Sequence, residues 1–113
     1  MSTTKAAPQV RRSLTDVIYV VAEHYGVSPS EMLGRGRAKT VAEARLVAYA
    51  LARDITRSST PEIGDCFGRD SSTVGGGVAD LVKRAMKDEK LARSIAVCRA
   101  RALATIEARR MVP

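Results

Sequence analysis

Apolar residues recur at intervals of three and four along most of the chain, the spacing of the buried face of an amphipathic helix. The pattern predicts an all-α fold of about six helices. The first helix is expected from about Leu14 to Tyr25, with Ser13 as its cap and Gly26 at its end. Residues 1–12 lack this periodicity and contain Pro8, so they are predicted to form a disordered basic arm.

Two capping signals open the next two helices. Ser28, followed by Pro29 and Glu31, predicts a short helix that ends near the glycines at 34 and 36. Thr40 with Glu43 predicts a second capping box and a helix that runs to about residue 56. The long apolar stripe of this third helix makes it the best candidate for the centre of the core.

A helix with Thr60 as its cap and Pro61 in its first turn, a glycine turn and a second helix are predicted between residues 60 and 85. Ile63 and Phe67 lie one turn apart and are expected to face inward, and Gly68 is expected to take the left-handed conformation that stops the helix. Asp70, Ser71 or Ser72 can cap the helix that follows. This layout is that of a helix-turn-helix, whose second helix enters the DNA major groove.

Three consecutive glycines, residues 75–77, stand inside the predicted reading helix. Each costs roughly 1 kcal/mol relative to alanine in a helix. The apolar stripe through Val74, Val78 and Leu81 nevertheless predicts that the segment is helical when packed. Base reading is then expected to be confined to residues 71–73, which predicts modest intrinsic specificity.

A cationic last helix is predicted from Asp88 to about Arg110, with Leu91, Cys98 and Ile106 on its apolar side. One domain therefore spans residues 13–110, with a C-terminal helix extension from about residue 99. The surplus of arginines on this helix is a candidate contact for a protein partner or a second protomer.

Charge narrows the class of partner. The 113 residues carry a net charge of +7, which favours a polyanion such as nucleic acid. A protein that binds single-stranded nucleic acid needs aromatic side chains on which bases stack, and this chain has one Phe and no Trp. Duplex DNA is therefore the favoured partner. No signal region or membrane span is seen, so a cytoplasmic, nucleoid-associated protein is expected.

Enzymatic chemistry has no candidate in this sequence. It contains no nucleophile–base pair, no clustered carboxylates and no P-loop. Cys66 and Cys98 fit no metal or redox spacing and are expected to be buried thiols. No enzyme activity, cofactor, metal or small-molecule ligand is therefore predicted.

From Val21 to about Ala102 the sequence resembles the C-terminal DNA-binding domain of the bacterial replication initiator DnaA, which is similar in fold to the Trp repressor. The resemblance rests on the text VAEHYGVSPSEMLGRGRAKTVAEARLVAYALARDIT followed by SSTPEIGDCFGRDSSTV. The order and spacing of basic loop, long helix, PEIGD-type helix and RD-x-x-T turn carry it. It implies a helix-turn-helix domain without the initiator's ATPase domain.

The resemblance also implies roles for individual residues. An arginine of the basic loop enters the minor groove, which implies Arg37. The reading helix begins with a base-reading tetrad, which implies that Asp70, Ser71, Ser72 and Thr73 read the major groove. The implied phosphate contacts are Arg35, Lys39, Arg45, Arg53, Thr56, Pro61 and Arg69.

Three positions depart from the family pattern. Ser71 stands in place of a base-contacting histidine, Leu46 where a polar residue is common, and Gly76 where a phosphate-contacting side chain is found. The primary hypothesis is a sequence-preferring duplex DNA-binding protein that regulates transcription by promoter occupancy and partner recruitment. The alternatives are a regulator of replication initiation that binds origin boxes or the initiator, and a protein-interaction module that has lost DNA binding.

Overall fold

A computed structural model describes residues 8–111, with side chains from Arg12 onward. Its six helices are α1 (Pro8–Tyr25), α2 (Pro29–Leu33), α3 (Lys39–Ile55), α4 (Thr60–Phe67), α5 (Ser71–Ala85) and α6 (Glu89–Arg110). No strand occurs within that range. The predicted all-α architecture is confirmed.

The first helix begins earlier than predicted. It starts at Pro8 rather than near Leu14, and Ser13 lies inside it instead of capping it. Proline is favoured in the first turn of a helix, where its missing N–H has no partner to lose, so Pro8 starts this helix rather than excluding it. The prediction of a disordered arm is therefore wrong for residues 8–12, while residues 1–7, including Lys5, lie outside the described residues.

The predicted capping box at Thr40 is also wrong. The third helix starts at Lys39 with Ala38 as its N-cap residue, and no side chain caps it. The carboxylate of Glu43 instead accepts hydrogen bonds from the Tyr25 hydroxyl at 2.9 Å and from Arg84 at 3.0 Å. Glu43 thus joins α1, α3 and α5, which the local sequence pattern cannot reveal.

The core is built around α3, which contacts each of the other five helices. Tyr49 of α3 is almost fully buried and meets the ring of Phe67 edge-on, with the ring centroids 4.9 Å apart. Ile63 and Phe67 face inward as predicted. Their burial fixes α4 against α3 and so places the helix-turn-helix on the rest of the domain.

The last helix lies against α1, and its arginines reach back to acidic residues of earlier helices. The ion pairs are Arg99–Asp54, Arg101–Glu23 and Arg109–Asp16. Three cations predicted to be available to a partner are therefore engaged within the chain.

The two thiols differ in their surroundings. Cys98 is fully buried as predicted, but Cys66 on α4 is exposed, so the prediction of burial is wrong for Cys66. Among the described residues, no helix has the length and apolar character needed to cross a membrane.

Candidate nucleic-acid interface

The turn between α4 and α5 is set by two glycines. Gly68 ends α4 with φ of 66°, the left-handed conformation predicted for it. The Arg69 N–H donates to the Gly64 carbonyl at 2.8 Å, and a Cβ added to Gly64 would lie 2.3 Å from the Arg69 carbonyl oxygen. Only glycine at position 64 lets the chain fold back this closely.

The start of α4 is capped one residue earlier than predicted. Ser59, rather than Thr60, is the N-cap, and it forms a capping box with Glu62. Glu62 N–H donates to Ser59 Oγ at 3.2 Å, and Ser59 N–H donates to Glu62 Oε1 at 2.8 Å. Pro61 follows in the first turn and is half-buried, so it can offer only apolar contact at a DNA backbone.

The reading helix is capped by Asp70. Its Oδ1 accepts hydrogen bonds from the Thr73 hydroxyl at 2.7 Å, the Thr73 N–H at 3.2 Å and the Ser72 hydroxyl at 3.4 Å. These hydrogen bonds lower the pKa of Asp70, and the bond from the Thr73 hydroxyl has the largest effect. The carboxylate therefore orders the first turn of α5, and Ser71, Ser72 and Thr73 are exposed around it.

The three glycines are helical, as predicted, within an unbroken α5. Gly75 and Gly76 have open space where a Cβ would lie. Gly77 differs, because an added Cβ would come 2.6 Å from Cδ2 of Leu46. Gly77 therefore lets α5 pack closely on α3, whereas Gly75 and Gly76 leave open space beside the backbone.

The basic loop between α2 and α3 presents two exposed cations, and a third stands on the first residue of α3. Arg35, Arg37 and Lys39 all lie at the surface. Exposed cations on a loop next to a helix-turn-helix can neutralise phosphates or enter a minor groove. Their placement agrees with the predicted roles, which stay predictions.

Arg45 does not stand on the surface. Only 9% of it is exposed, and its Nε donates to the Met32 carbonyl at 2.7 Å. Its Nη2 lies 3.2 Å from the carbonyl of Glu31, 3.1 Å from that of Gly34 and 3.2 Å from that of Gly36. The prediction that Arg45 binds a phosphate is therefore corrected: these carbonyls, at the end of α2 and in the basic loop, engage its guanidinium.

Arg69 is half-buried and is also directed at backbone oxygens. Its Nη1 donates to the Phe67 carbonyl and its Nη2 to the Gly34 carbonyl, each at 3.0 Å. A side chain held between the turn and the basic loop is not extended toward a DNA backbone. Arg69 therefore has a structural role in this turn, and its predicted phosphate contact stays a prediction.

The junction between α3 and α4 forms a shallow basic cleft. Arg53 is exposed there beside Arg57, Ser59 and Thr60. Thr56, a predicted phosphate contact, donates its hydroxyl proton to the Ala52 carbonyl at 2.6 Å. The Thr56 oxygen also accepts from the Ser58 N–H at 3.3 Å and is hydrogen-bonded to the Ser58 hydroxyl. The Thr56 hydroxyl is therefore used within the end of α3.

Arg57 is a candidate that the sequence pattern did not single out as a site residue. It has φ of 57°, in the left-handed region, and its side chain is exposed in the same cleft as Arg53. A non-glycine residue in that region costs roughly 1 kcal/mol or more. The available signal was an arginine directly after the helix end, where glycine or asparagine is the usual residue.

Comparison with known proteins agrees with this geometry. The sequence model of the family described as "Bacterial dnaA protein helix-turn-helix" matches residues 14–80. The chain is 40% identical over 101 residues to the chromosomal replication initiator protein DnaA of Deinococcus radiodurans, covering 89% of this chain and 22% of that protein. It is 48% identical over 60 residues to the protein of the same name from Thermus thermophilus, covering 52% of this chain and 14% of that protein.

The fold and the exposed start of α5 define a helix-turn-helix domain, the class whose second helix reads the major groove. The chain belongs to the bacterial DnaA helix-turn-helix family. It spans only about a fifth of the length of the relative from Deinococcus radiodurans.

Proposed function

We propose that this chain binds duplex DNA with sequence preference, using the reading helix and the basic loop together. The observation that supports the proposal best is the capped start of α5, where Asp70 orders three exposed hydroxyl residues. Short hydroxyl side chains can bond to base edges, and the threonine methyl can pack on a thymine methyl. The family of the chain supports the same function.

The proposed contacts divide into three groups by their surroundings. Base reading is assigned to Ser71, Ser72 and Thr73 in the major groove and to Arg37 in the minor groove. Phosphate contacts are assigned to four exposed cations: Arg35, Lys39, Arg53 and Arg57. Thr56, at the end of α3, and Pro61, in the first turn of α4, are assigned only apolar contact with the DNA backbone. Asp70, Arg45 and Arg69 are assigned to holding the basic loop and the start of α5 in position through their hydrogen bonds.

The proposal is tested by selecting duplexes from a random-sequence pool and measuring affinity for the selected duplex over a range of salt concentrations. Arg53→Ala is expected to flatten the slope of log affinity against log salt by about 1, because it removes one phosphate neutralised by the protein. Arg110→Ala, which removes an exposed cation at the end of α6, is the matched control and should leave the slope unchanged. Negligible retention of every duplex at low salt would refute DNA binding.

Replication control is the role that the names of the relatives favour, since the proteins above are chromosomal replication initiators. We propose that the chain occupies initiator-type boxes at an origin, where it acts with or competes against an initiator. Competition for box DNA between this protein and an initiator measures that role directly.

Transcriptional regulation by promoter occupancy and partner recruitment, the primary hypothesis from the sequence, becomes the second candidate function. Mapping bound sites across the genome separates the two roles, since an origin and a set of promoters predict different footprints. In either role, we expect the protein to be cytoplasmic and associated with the nucleoid. A protein partner or second protomer that contacts the cationic last helix, α6, stays a prediction.

A further inference from the structure

The carbonyl oxygen of Gly34 accepts hydrogen bonds from two arginines of different segments. Arg45, on α3, donates through Nη2 at 3.1 Å. Arg69, in the turn of the helix-turn-helix, donates through Nη2 at 3.0 Å. One backbone oxygen thus joins α3, the basic loop and the turn that precedes the reading helix.

This arrangement brings two like charges together away from bulk water. Burial lowers the pKa of Arg45, and the positive charge of Arg69 lowers it further. The carbonyls at the end of α2 offset the repulsion, because the C-terminal end of a helix favours cations. The resulting contact fixes both guanidinium groups, so neither is free to follow a DNA backbone.

The junction lies between the two segments that would enter the two grooves. Gly34 immediately precedes Arg35, and Arg37 follows two residues later. On the other side, Arg69 immediately precedes Asp70, the N-cap of α5. The backbone of Arg69 is itself held at 2.8 Å by Gly64, so a shift of the basic loop relative to α5 would break the bond to Gly34.

We propose that Arg45 and Arg69 are positioning residues that lock the basic loop to the start of the reading helix, so that both DNA grooves are read as one unit. This inference rests on the proposed function. It predicts that the two arginines contribute to affinity through Arg37, without neutralising a phosphate themselves.

The test uses lysine substitutions, which keep the charge but lose the planar fork that reaches several carbonyls. Arg45→Lys and Arg69→Lys are each expected to weaken binding to the selected duplex about tenfold, with an unchanged salt slope. In an Arg37→Ala background the same substitutions should have little further effect, because the residue that they position is gone. Arg93→Lys, at an exposed position on α6 outside the proposed DNA contacts, is the matched control and should keep the wild-type affinity.

A measurement on the free protein separates this inference from DNA binding itself. Backbone NMR order parameters of residues 35–38 are expected to fall in Arg45→Lys and Arg69→Lys and to stay unchanged in Arg93→Lys. If no duplex binds the wild-type protein, the proposed function fails, and these order parameters still decide whether the lock exists. Thermal melting identifies any variant that does not fold, and Arg69→Lys, at a half-buried position, is the variant to use if Arg45→Lys unfolds.

Three results would overturn the inference. One is full affinity in Arg45→Lys together with a salt slope flattened by about 1 in Arg45→Met, which would mean a direct phosphate contact. Another is an equal loss from the lysine variants with and without Arg37, which would mean a general structural effect. The third is an unchanged order parameter across residues 35–38 in both folded lysine variants.

Discussion

Arg109 at the end of α6 and Asp16 in α1 form an ion pair with only one partner withdrawn from water. The Asp16 side chain is 4% exposed and that of Arg109 is 52% exposed. Nε of Arg109 lies 3.0 Å from Oδ2 of Asp16, and Nη2 bonds to Oδ1 of the same carboxylate. This two-point contact raises the pKa of Arg109, mainly through the hydrogen bonds to Asp16 and further through the negative charge of Asp16. The last helix is thereby tied to the first.

Arg109→Met is predicted to lower the free energy of unfolding by more than the loss of a fully exposed ion pair would, because it leaves a buried carboxylate without its donor. Urea denaturation measures the loss. Arg99→Met is the matched control, since the Arg99–Asp54 pair is exposed on both sides and should contribute less than about 1 kcal/mol. Equal losses in the two variants would contradict the special role of the Asp16 pair.

Gly64→Ala is predicted to destabilise the helix-turn-helix by about 3 kcal/mol. The added Cβ would lie 2.3 Å from the carbonyl oxygen of Arg69, a backbone atom that can move only if the turn opens. Gly36→Ala is the control, because nothing lies within 4 Å of its added Cβ. Thermal melting of both variants checks the prediction, which fails if Gly64→Ala melts at the wild-type temperature.

The three glycines of α5 are predicted to respond differently to alanine. Gly76→Ala should raise the free energy of unfolding by up to about 1 kcal/mol, since it gains helix propensity in open space. Gly77→Ala should gain less or lose stability, because its Cβ would press on Leu46 at 2.6 Å. Adding Leu46→Ala to both variants should reduce the difference between them, as equilibrium unfolding of the four proteins would show. A difference that persists would mean that Leu46 is not its cause.

Arg57→Gly is predicted to change stability and DNA affinity in opposite directions. Glycine adopts the left-handed conformation without the steric cost that Arg57 bears, so the free energy of unfolding should rise by about 1 kcal/mol. The same substitution removes an exposed cation beside Arg53, so the salt slope of DNA binding should flatten by about 1. Denaturation and salt titration test the two effects separately, and Arg57→Lys should show neither. An unchanged slope would remove Arg57 from the phosphate contacts.

Stability at alkaline pH is predicted to depend on Cys98. Burial raises the pKa of this thiol from 9.0 to about 11, so the unfolded chain releases the proton at a lower pH than the folded protein. The thiol's contribution is full below pH about 9 and is lost as pH rises toward about 11, a change on the order of 2 kcal/mol. Denaturant unfolding across this range should show a shallower fall in Cys98→Ala than in the wild type. The exposed Cys66 is common to both proteins, and parallel curves would contradict the prediction.

The chemical type of several site residues was predictable, but their direction was not. Asp70 was recognised as a cap from its place before Ser71, because capping depends on residues within one turn. Arg45 was expected at the surface as a phosphate contact implied by the family resemblance, yet it turns toward the carbonyls at the end of α2. The α2 carbonyls lie more than ten positions away in the chain, so the local pattern of apolar residues cannot predict this contact.

The sequence by itself determined the six helices, the inward stripes of α3 and α5, the left-handed Gly68 and the exposed start of the reading helix. These features depend on interactions within one or two helical turns, which residue spacing records. Only the tertiary structure decided that Glu43 joins three helices, that the arginines of α6 pair with α1 and α3, and that Arg45 and Arg69 meet at Gly34. Those partners are far apart in the chain, and only the packing of the helices brings them within reach of a hydrogen bond.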